Sequence, residues 1–193
     1  MMPHFIHQTI ATARALETRF TARFRRDHRG VAAVEFALIF PAMVALYLGC
    51  VDVTQILTAS RKASGVASAV GDLVAQSIEI DNAGMDNIFL AAGSMLEPFD
   101  DTTLTVVVSS IEADSDGNTT IGWSDAHNAS PRGVGSSIVV PEGLIEPNTS
   151  LIMSEVTYAY ESAVSHMVSG GAVDTDDVFY LRPRRSLSVN RVD

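Results

Sequence analysis

The longest apolar run of the chain covers residues 31–51, where Glu35 is the only charged side chain. A helix of these twenty-one residues, at about 1.5 Å per residue, would extend roughly 30 Å, which is the hydrocarbon thickness of a bilayer. Pro41 lies inside the run and is the expected helix kink, because proline removes one backbone hydrogen bond. The pattern predicts a transmembrane helix.

Apolar residues continue beyond this run at gaps of mostly three or four, the spacing of one face of an amphipathic helix. We therefore predict one long helix over residues 31 to 77, with its first half in lipid and an amphipathic second half, 52–77. A secretory signal peptide is the competing interpretation. Its apolar region is usually about 7–15 residues long and a small-residue cleavage site follows it, whereas residues 31–51 are longer and lack a close Ala-x-Ala. The apolar positions of the second half are Val53, Ile56, Leu57, Ala63, Val66, Val70, Leu73 and Val74.

The residues after the long helix predict a small α+β head. A short helix is expected in IDNAGMDNIFLAAGSMLEPF, with Asp81 or Asn82 as its N-cap and Pro98 after its end. TTLTVVVSSIEA, which begins at Thr102, is rich in β-branched residues and predicts a strand. The Asp-Gly of SDGN at 115–118 then predicts a hairpin turn.

Four further segments complete the predicted head. TTIGW is expected to form the return strand, and residues 125–149, rich in Asn, Ser, Pro and Gly, a loop. SLIMSEVTYAYES and DVFYLRPRRS predict two more strands, and DTDD at 174–177 a solvated loop. These elements favour a helix packed on a small antiparallel sheet.

Charge is divided unevenly along the chain. Residues 1–29 hold six arginines and two acidic residues, a net charge of +4, whereas residues 52–181 hold nineteen acidic and three basic residues, a net charge of −16. Basic loops next to a membrane helix stay cytoplasmic. We therefore expect residues 1–30 to form a cytoplasmic leader and residues 52–193 an extracytoplasmic head. The basic residues that set this orientation are Arg25, Arg26 and Arg29.

Glu35 is the residue of the apolar run that needs an explanation. An ionisable group inside a membrane helix costs on the order of 2.5–3.5 kcal/mol at the bilayer centre, and such groups are usually functional. The alternative is that Glu35, only about 6–7 Å from the basic border, extends its carboxylate to the lipid headgroups and has no further role. Both interpretations are open on the residues alone.

The junction between leader and helix resembles that of type IV prepilins. In Gly30 followed by VAAVE, a glutamate stands five positions after a glycine at the border of a basic leader and an apolar helix. More narrowly, RRDHRGVAAVEFALIFP, followed by GCVDVTQ and later by DLVAQ, is similar to the TadE-like minor pilins, or pseudopilins, of tight-adherence (Tad) pilus systems. The similarity covers residues 25 to 76 and, more loosely, TYAYES and FYLRPRRS.

This resemblance implies a type IV pilin-like fold and a role for Glu35. In prepilins a membrane aspartyl peptidase cuts after the glycine, so cleavage after Gly30 would make Val31 the new N-terminus. Its α-amino group would be cationic at neutral pH, with a reference pKa of about 7.7–8.0. Glu35, followed by Phe36, would then pair with this amine or with that of a neighbouring subunit, because an unpaired charge is costly where the dielectric constant is low.

The resemblance also implies the partners. They are other pilins and pseudopilins, a prepilin peptidase, the inner-membrane assembly platform and membrane lipid, and the location is the bacterial inner membrane with the head in the periplasm. When the helix leaves the lipid and enters a fibre, its apolar face needs another partner. The side chains expected to make these contacts are Val34, Phe36, Leu38, Phe40 and Leu46.

Calcium is a weak candidate ligand of the head. Glu112, Asp114, Asp116 and Gly117 match the opening of a calcium loop, whose carboxylates stand at alternate positions. The twelfth position, however, is Trp123 instead of a bidentate glutamate. A plain Asp-Gly hairpin explains the same residues, so no metal is expected.

No enzyme and no cofactor are expected from the sequence. His127 and His166 lack metal-ligand spacing, no serine lies in a nucleophile elbow, and no phosphate-binding glycine loop is present. Cys50 is the single cysteine, which excludes an intrachain disulfide. The acidic head argues against nucleic acid as a partner.

Two functions from different classes are left. The first is a minor pilin or pseudopilin needed to assemble a Tad-type adhesive pilus, at its initiation, its tip or its platform, and processed after Gly30. The second is an unprocessed, membrane-anchored binding module or assembly factor with an acidic periplasmic head.

Overall fold

The computed structural model describes residues 30–162 and 171–192. Within these residues the chain forms two helices and six strands. Their bounds are α1 Val31–Ala75, β1 Glu79–Ile80, α2 Asn82–Leu96, β2 Leu104–Ala113, β3 Thr119–His127, β4 Ser150–Tyr160, β5 Val173–Leu181 and β6 Asn190–Arg191. The chain divides into two compact units between Gly49 and Cys50, within α1. The second unit, from Cys50 onward, is named the head.

The first half of α1 is a helix without a core of its own. Its side chains from Val31 to Leu48 are all exposed, and Pro41 lies inside the helix, which continues on both sides of it. The second half is amphipathic, and its buried face is made mostly of small residues. The buried positions are Ala59, Ala63, Val66, Ala67, Val70, Gly71, Val74 and Ala75.

Gly71 allows α1 to approach the sheet closely. A Cβ at this position would overlap Leu181 of β5 and lie 3.3 Å from the Cβ of Ser154. A larger residue would therefore force the Leu181 side chain to move and would press on Ser154 of β4. This contact explains a glycine inside a helix, where glycine is otherwise unfavourable by roughly 1 kcal/mol relative to alanine.

The described strands of the head form a four-stranded antiparallel sheet in the order β3-β2-β4-β5. One face packs on α1 and α2 and holds the main core, with Val106, Val108 and Ile152 fully buried. On the other face, Ile111 and Met153 belong to a second cluster, against which side chains of the 128–149 loop pack. The predicted α+β fold, with a long N-terminal helix and a small antiparallel sheet, is confirmed.

Residues 182–192 form a C-terminal strap that returns across the head. The Arg184 N–H donates to the Ala75 carbonyl at 2.9 Å, at the end of α1. The Trp123 Nε1–H donates to the Val189 carbonyl at 2.7 Å, in a buried hydrogen bond. At its end the strap forms β6, which pairs in parallel with β1. It therefore ties α1, β1 and β3 together.

Several sequence-based boundaries need correction. α1 ends at Ala75 instead of residue 77, and its buried face begins at Ala59, so Val53 and Leu57 are exposed. The return strand β3 extends to His127, so three residues assigned to the loop are strand.

The prediction of a solvated loop for DTDD is wrong, because these acids lie in β5. Asp176 accepts a hydrogen bond from Thr157 at 2.7 Å and Asp177 accepts one from Ser64 at 2.6 Å, whereas Asp174 is exposed. The predicted last strand also continues too far. β5 ends at Leu181, and RPRRS belongs to the strap.

Candidate functional site: the start of the long helix

Gly30 and Val31 mark the start of the described helix. Gly30 directly precedes α1, and a Cβ placed on it would meet no atom within 4 Å. Nothing in the described fold therefore requires glycine at this position. A glycine with no packing role here is compatible with recognition of this position by another protein.

Glu35 lies one turn into α1, and its side chain is exposed. Residues four apart share one face of a helix, so Glu35 lies on the face of Val31, about 6 Å further along the axis. The positive end of the helix dipole is the N-terminus, which favours a carboxylate near it. The geometry would let the Glu35 carboxylate reach an amine located at Val31.

Exposed apolar side chains precede and follow Glu35 along the first half of α1. The exposed fraction is 69% for Val34, 80% for Leu38 and 70% for Leu46. Phe36 and Phe40 pack on each other, with ring centroids 5.4 Å apart. Such a surface needs lipid or protein to cover it.

By length and composition, α1 is the one helix among the described residues that could cross a membrane, and its most apolar stretch is not buried at all. Arg25, Arg26 and Arg29, which the orientation prediction uses, lie outside the described residues. The orientation of the chain therefore stays a prediction.

The acidic hairpin at Asp114 has the structure of a turn. The Asp114 Oδ1 accepts hydrogen bonds at 2.8 Å from the backbone N–H groups of Asp116 and Asn118, and its Oδ2 accepts one at 2.9 Å from the Asn118 side chain. The side-chain and then the backbone hydrogen bond of Asn118 lower the pKa of Asp114. Gly117 has a positive φ of 84°, which the turn requires. The hairpin thus accounts for the Asp114 carboxylate without an ion.

Of the two histidines considered from the sequence, the structure describes His127. His127 is exposed at the end of β3, and its ring centroid lies 5.6 Å from that of Phe89. His166 lies outside the described residues. Across the described ranges, no group of three or more His, Cys, Asp or Glu side chains is arranged to hold a metal ion.

The comparison with known families bears on the helix just described. Residues 30–72 match the model of the family described as TadE-like protein. Over these residues the chain is similar to the TadE-like family. The match begins at Gly30 and ends inside α1, so it covers the helix and not the sheet. No match was found among the curated proteins or among the solved structures.

The match to the TadE-like family confirms the resemblance seen at the helix junction. Sequence reasoning missed the C-terminal strap. No local signal could have revealed it, because Trp123 and the Val189 carbonyl that it binds are 66 residues apart.

Proposed function

We propose that this TadE-like chain is a minor pilin or pseudopilin needed to assemble a Tad-type adhesive pilus, and that a prepilin peptidase cleaves it after Gly30. One observation carries the proposal. The family match begins at Gly30, and the helix begins one residue later. The basic leader also ends at this position. Cleavage there would remove the leader and leave the helix intact.

The α-amino group freed at Val31 supplies the partner for Glu35. The two groups would lie on one face of α1, one turn apart. Inside a membrane or a fibre the dielectric constant is low, so a carboxylate and an amine stabilise each other more than they would in water. Pairing with the amine of a neighbouring subunit would fix the axial position of one helix against the next.

The first half of α1 serves as the membrane anchor before assembly and as the contact with other pilins after it. Its exposed apolar side chains suit both environments. The basic leader keeps the N-terminus in the cytoplasm, and the acidic head stands in the periplasm. The proposed partners are other pilins, the peptidase and the inner-membrane platform.

Cleavage is tested by mass spectrometry of the N-terminus of the protein from native membranes. We expect an N-terminus at Val31 that is lost in Gly30→Ala and in a peptidase-deficient strain. Gly49→Ala is the matched control, because it makes the same substitution further along the chain, within α1, and its added Cβ also meets no atom within 4 Å. An N-terminus at Met1 or Met2 in the wild type would contradict the proposal and favour the unprocessed, anchored module.

The role of Glu35 is tested by separating cleavage from assembly. Glu35→Gln keeps the size of the side chain and removes its charge, so we expect normal cleavage but at least a tenfold loss of the protein from sheared pilus fractions. Glu142→Gln makes the same change at an exposed position of the head and should leave assembly unchanged. Wild-type recovery of Glu35→Gln in the pili would contradict pairing with the amine.

A further inference from the structure

The described residues cover only part of the far face of the sheet, which is the face turned away from α1 and α2. Side chains of the 128–149 loop pack at the end of this face that holds Ile111 and Met153. Nearer the other end, Val107 is only half-buried and Val178 is 46% exposed. This part is named the open face, and its residues are Thr105, Val107, Thr157, Asp174, Asp176 and Val178.

Two carboxylates of β5 lie on the open face. Asp176 accepts a hydrogen bond from Thr157 at 2.7 Å through one of its oxygens. Asp174 is exposed, and within the described residues it accepts no hydrogen bond and forms no ion pair. Glu155, on the same face, is already paired with Arg132 at 2.6 Å. Asp174 and Asp176 are therefore the carboxylates that the open face offers to a cation.

Two arginines of the head are free to pair with another molecule. Within the described residues, no hydrogen bond or ion pair engages the guanidinium of Arg61 or of Arg185, and both residues are exposed. The other lysine and arginine side chains of the described head each have a partner: Lys62, Arg132, Arg182, Arg184 and Arg191.

β5 lies along α1 and runs in the same direction. The Ser64 hydroxyl donates to Asp177 at 2.6 Å. Seven residues later in the helix, Gly71 lies against Leu181, which is four residues later in the strand. These steps correspond to about 10 Å at 1.5 Å per helical residue and about 13 Å at 3.3 Å per strand residue. The Ser64–Asp177 hydrogen bond therefore marks a height along α1 that is common to both elements.

Arg61 is level with the two free carboxylates. It precedes Ser64 by three residues, which places it about 4.5 Å nearer the N-terminal end of α1. Asp176 and Asp174 lie about 3 Å and 10 Å nearer the same end than Asp177. The height of Arg61 thus falls between the heights of Asp176 and Asp174.

Arg185 is not level with these carboxylates. The N–H of its neighbour Arg184 donates to the Ala75 carbonyl at the C-terminal end of α1. Ala75 is fourteen residues beyond Arg61, which is roughly 20 Å along the helix. Two heads that stand side by side with parallel helices keep these heights, so Arg61 of one head can meet the carboxylates of the other and Arg185 cannot.

Arg61 also lies on the face of α1 that is turned away from its own sheet. It is two residues from Ala59 and from Ala63, which are both fully buried, and so about 160° around the helix from each. Leu57 and Gly65, four residues before and after Arg61, share its face. Leu57 is 54% exposed, and Gly65 is exposed as well. These residues form an outer face of α1 with apolar surface on both sides of a cation.

We infer that the outer face of α1 in one head packs on the open face of a second copy of this chain, with Arg61 between Asp174 and Asp176. The two surfaces are opposite outer layers of the head, so copies in the same orientation present them to each other. The contact joins different surfaces and can therefore continue into a row. It goes beyond the proposed function, because it requires heads at equal height with parallel helices and not cleavage after Gly30.

Disulfide cross-linking of full-length chains in native membranes tests the contact. Gly65→Cys and Val178→Cys are placed on two differently tagged, co-expressed chains, both in a Cys50→Ser background. By the same spacings, the two positions lie level to within about 2 Å along α1. Oxidation should give a mixed dimer. Val139→Cys, at a position 93% exposed, replaces Val178→Cys in the matched control and should reduce the mixed dimer at least about tenfold.

Charge reversal then tests the pairing of Arg61. Arg61→Glu in the Gly65→Cys chain should reduce the mixed dimer at least about tenfold, because like charges then meet. Adding Asp174→Arg and Asp176→Arg to the Val178→Cys chain should restore it, which also shows that both heads are folded.

Arg185→Glu is the matched control, because it reverses the other free arginine, and it should leave the yield of mixed dimer unchanged. The inference is overturned by a yield no higher than that of the Val139→Cys control or by a full yield with Arg61→Glu. Restoration of the Arg61→Glu loss by Glu97→Arg, on the α2 side of the head, instead of by the changes in β5 would also overturn it. A normal yield in Gly30→Ala, even where wild-type cleavage fails, separates this contact from the proposed function.

Discussion

Truncating Val189 to alanine tests whether the C-terminal strap is part of the core of the head. The Val189 side chain is only 1% exposed, and its carbonyl accepts the buried hydrogen bond from Trp123. Val189→Ala keeps this backbone acceptor and removes only apolar volume. Any loss of stability therefore measures packing of the strap and not hydrogen bonding.

The expected loss follows from the burial of this side chain. Removing two buried methyl groups at about 0.8 kcal/mol each forfeits roughly 1.6 kcal/mol of transfer free energy. The remaining cavity adds to this loss, because the surrounding side chains relax only partly. We expect the free energy of unfolding to fall by about 2 kcal/mol.

Urea unfolding of the full-length protein in detergent measures this loss. Trp123 is the only tryptophan of the chain, so its fluorescence reports on the region that contacts the strap. With a denaturant slope of about 2 kcal/mol per molar urea, the midpoint should fall by about 1 M. Val139→Ala makes the same substitution at a position 93% exposed and should shift the midpoint little. Equal midpoints for Val189→Ala and Val139→Ala would refute the packing of the strap.

Two further predictions concern local hydrogen bonds. Asp81 caps α2 by accepting from the Gly84 N–H at 2.7 Å, so Asp81→Ala should lower the free energy of unfolding by about 1 kcal/mol in the same urea assay. Folding lowers the pKa of Asp114, so the ionised Asp114 carboxylate stabilises the folded state. This stabilisation is complete above pH 3.8, the ordinary pKa of the group, and is lost as the pH falls through its pKa in the folded state. Asp114→Asn should remove this part of the acid denaturation profile measured by circular dichroism. The Asp116 carboxylate accepts no hydrogen bond within the described residues, so Asp116→Asn should leave this part of the profile unchanged.

The sequence predictions are correct where the signal lies within a few neighbouring residues, and they fail where the structure depends on residues that are distant in the sequence. The Asp81 cap and the hairpin at residues 115–118 depend on residues within one turn of each other, and both were placed correctly. The DTDD segment was misplaced because its composition resembles that of a solvated loop. Two of its acids, Asp176 and Asp177, accept hydrogen bonds from Thr157 and Ser64, which lie 19 and 113 residues away in the sequence.

The sequence by itself determined the start of α1, the apolar surface of its first half, the family resemblance at Gly30 and the α+β class of the head. These features arise from composition and local periodicity, which do not depend on how the chain folds back. Only the tertiary structure decided the course of the strap and set β5 beside α1, which brings Arg61 level with Asp174 and Asp176. The reason is physical: the strap joins Trp123 to Val189 across 66 residues, and such contacts form only when a core excludes water between distant segments.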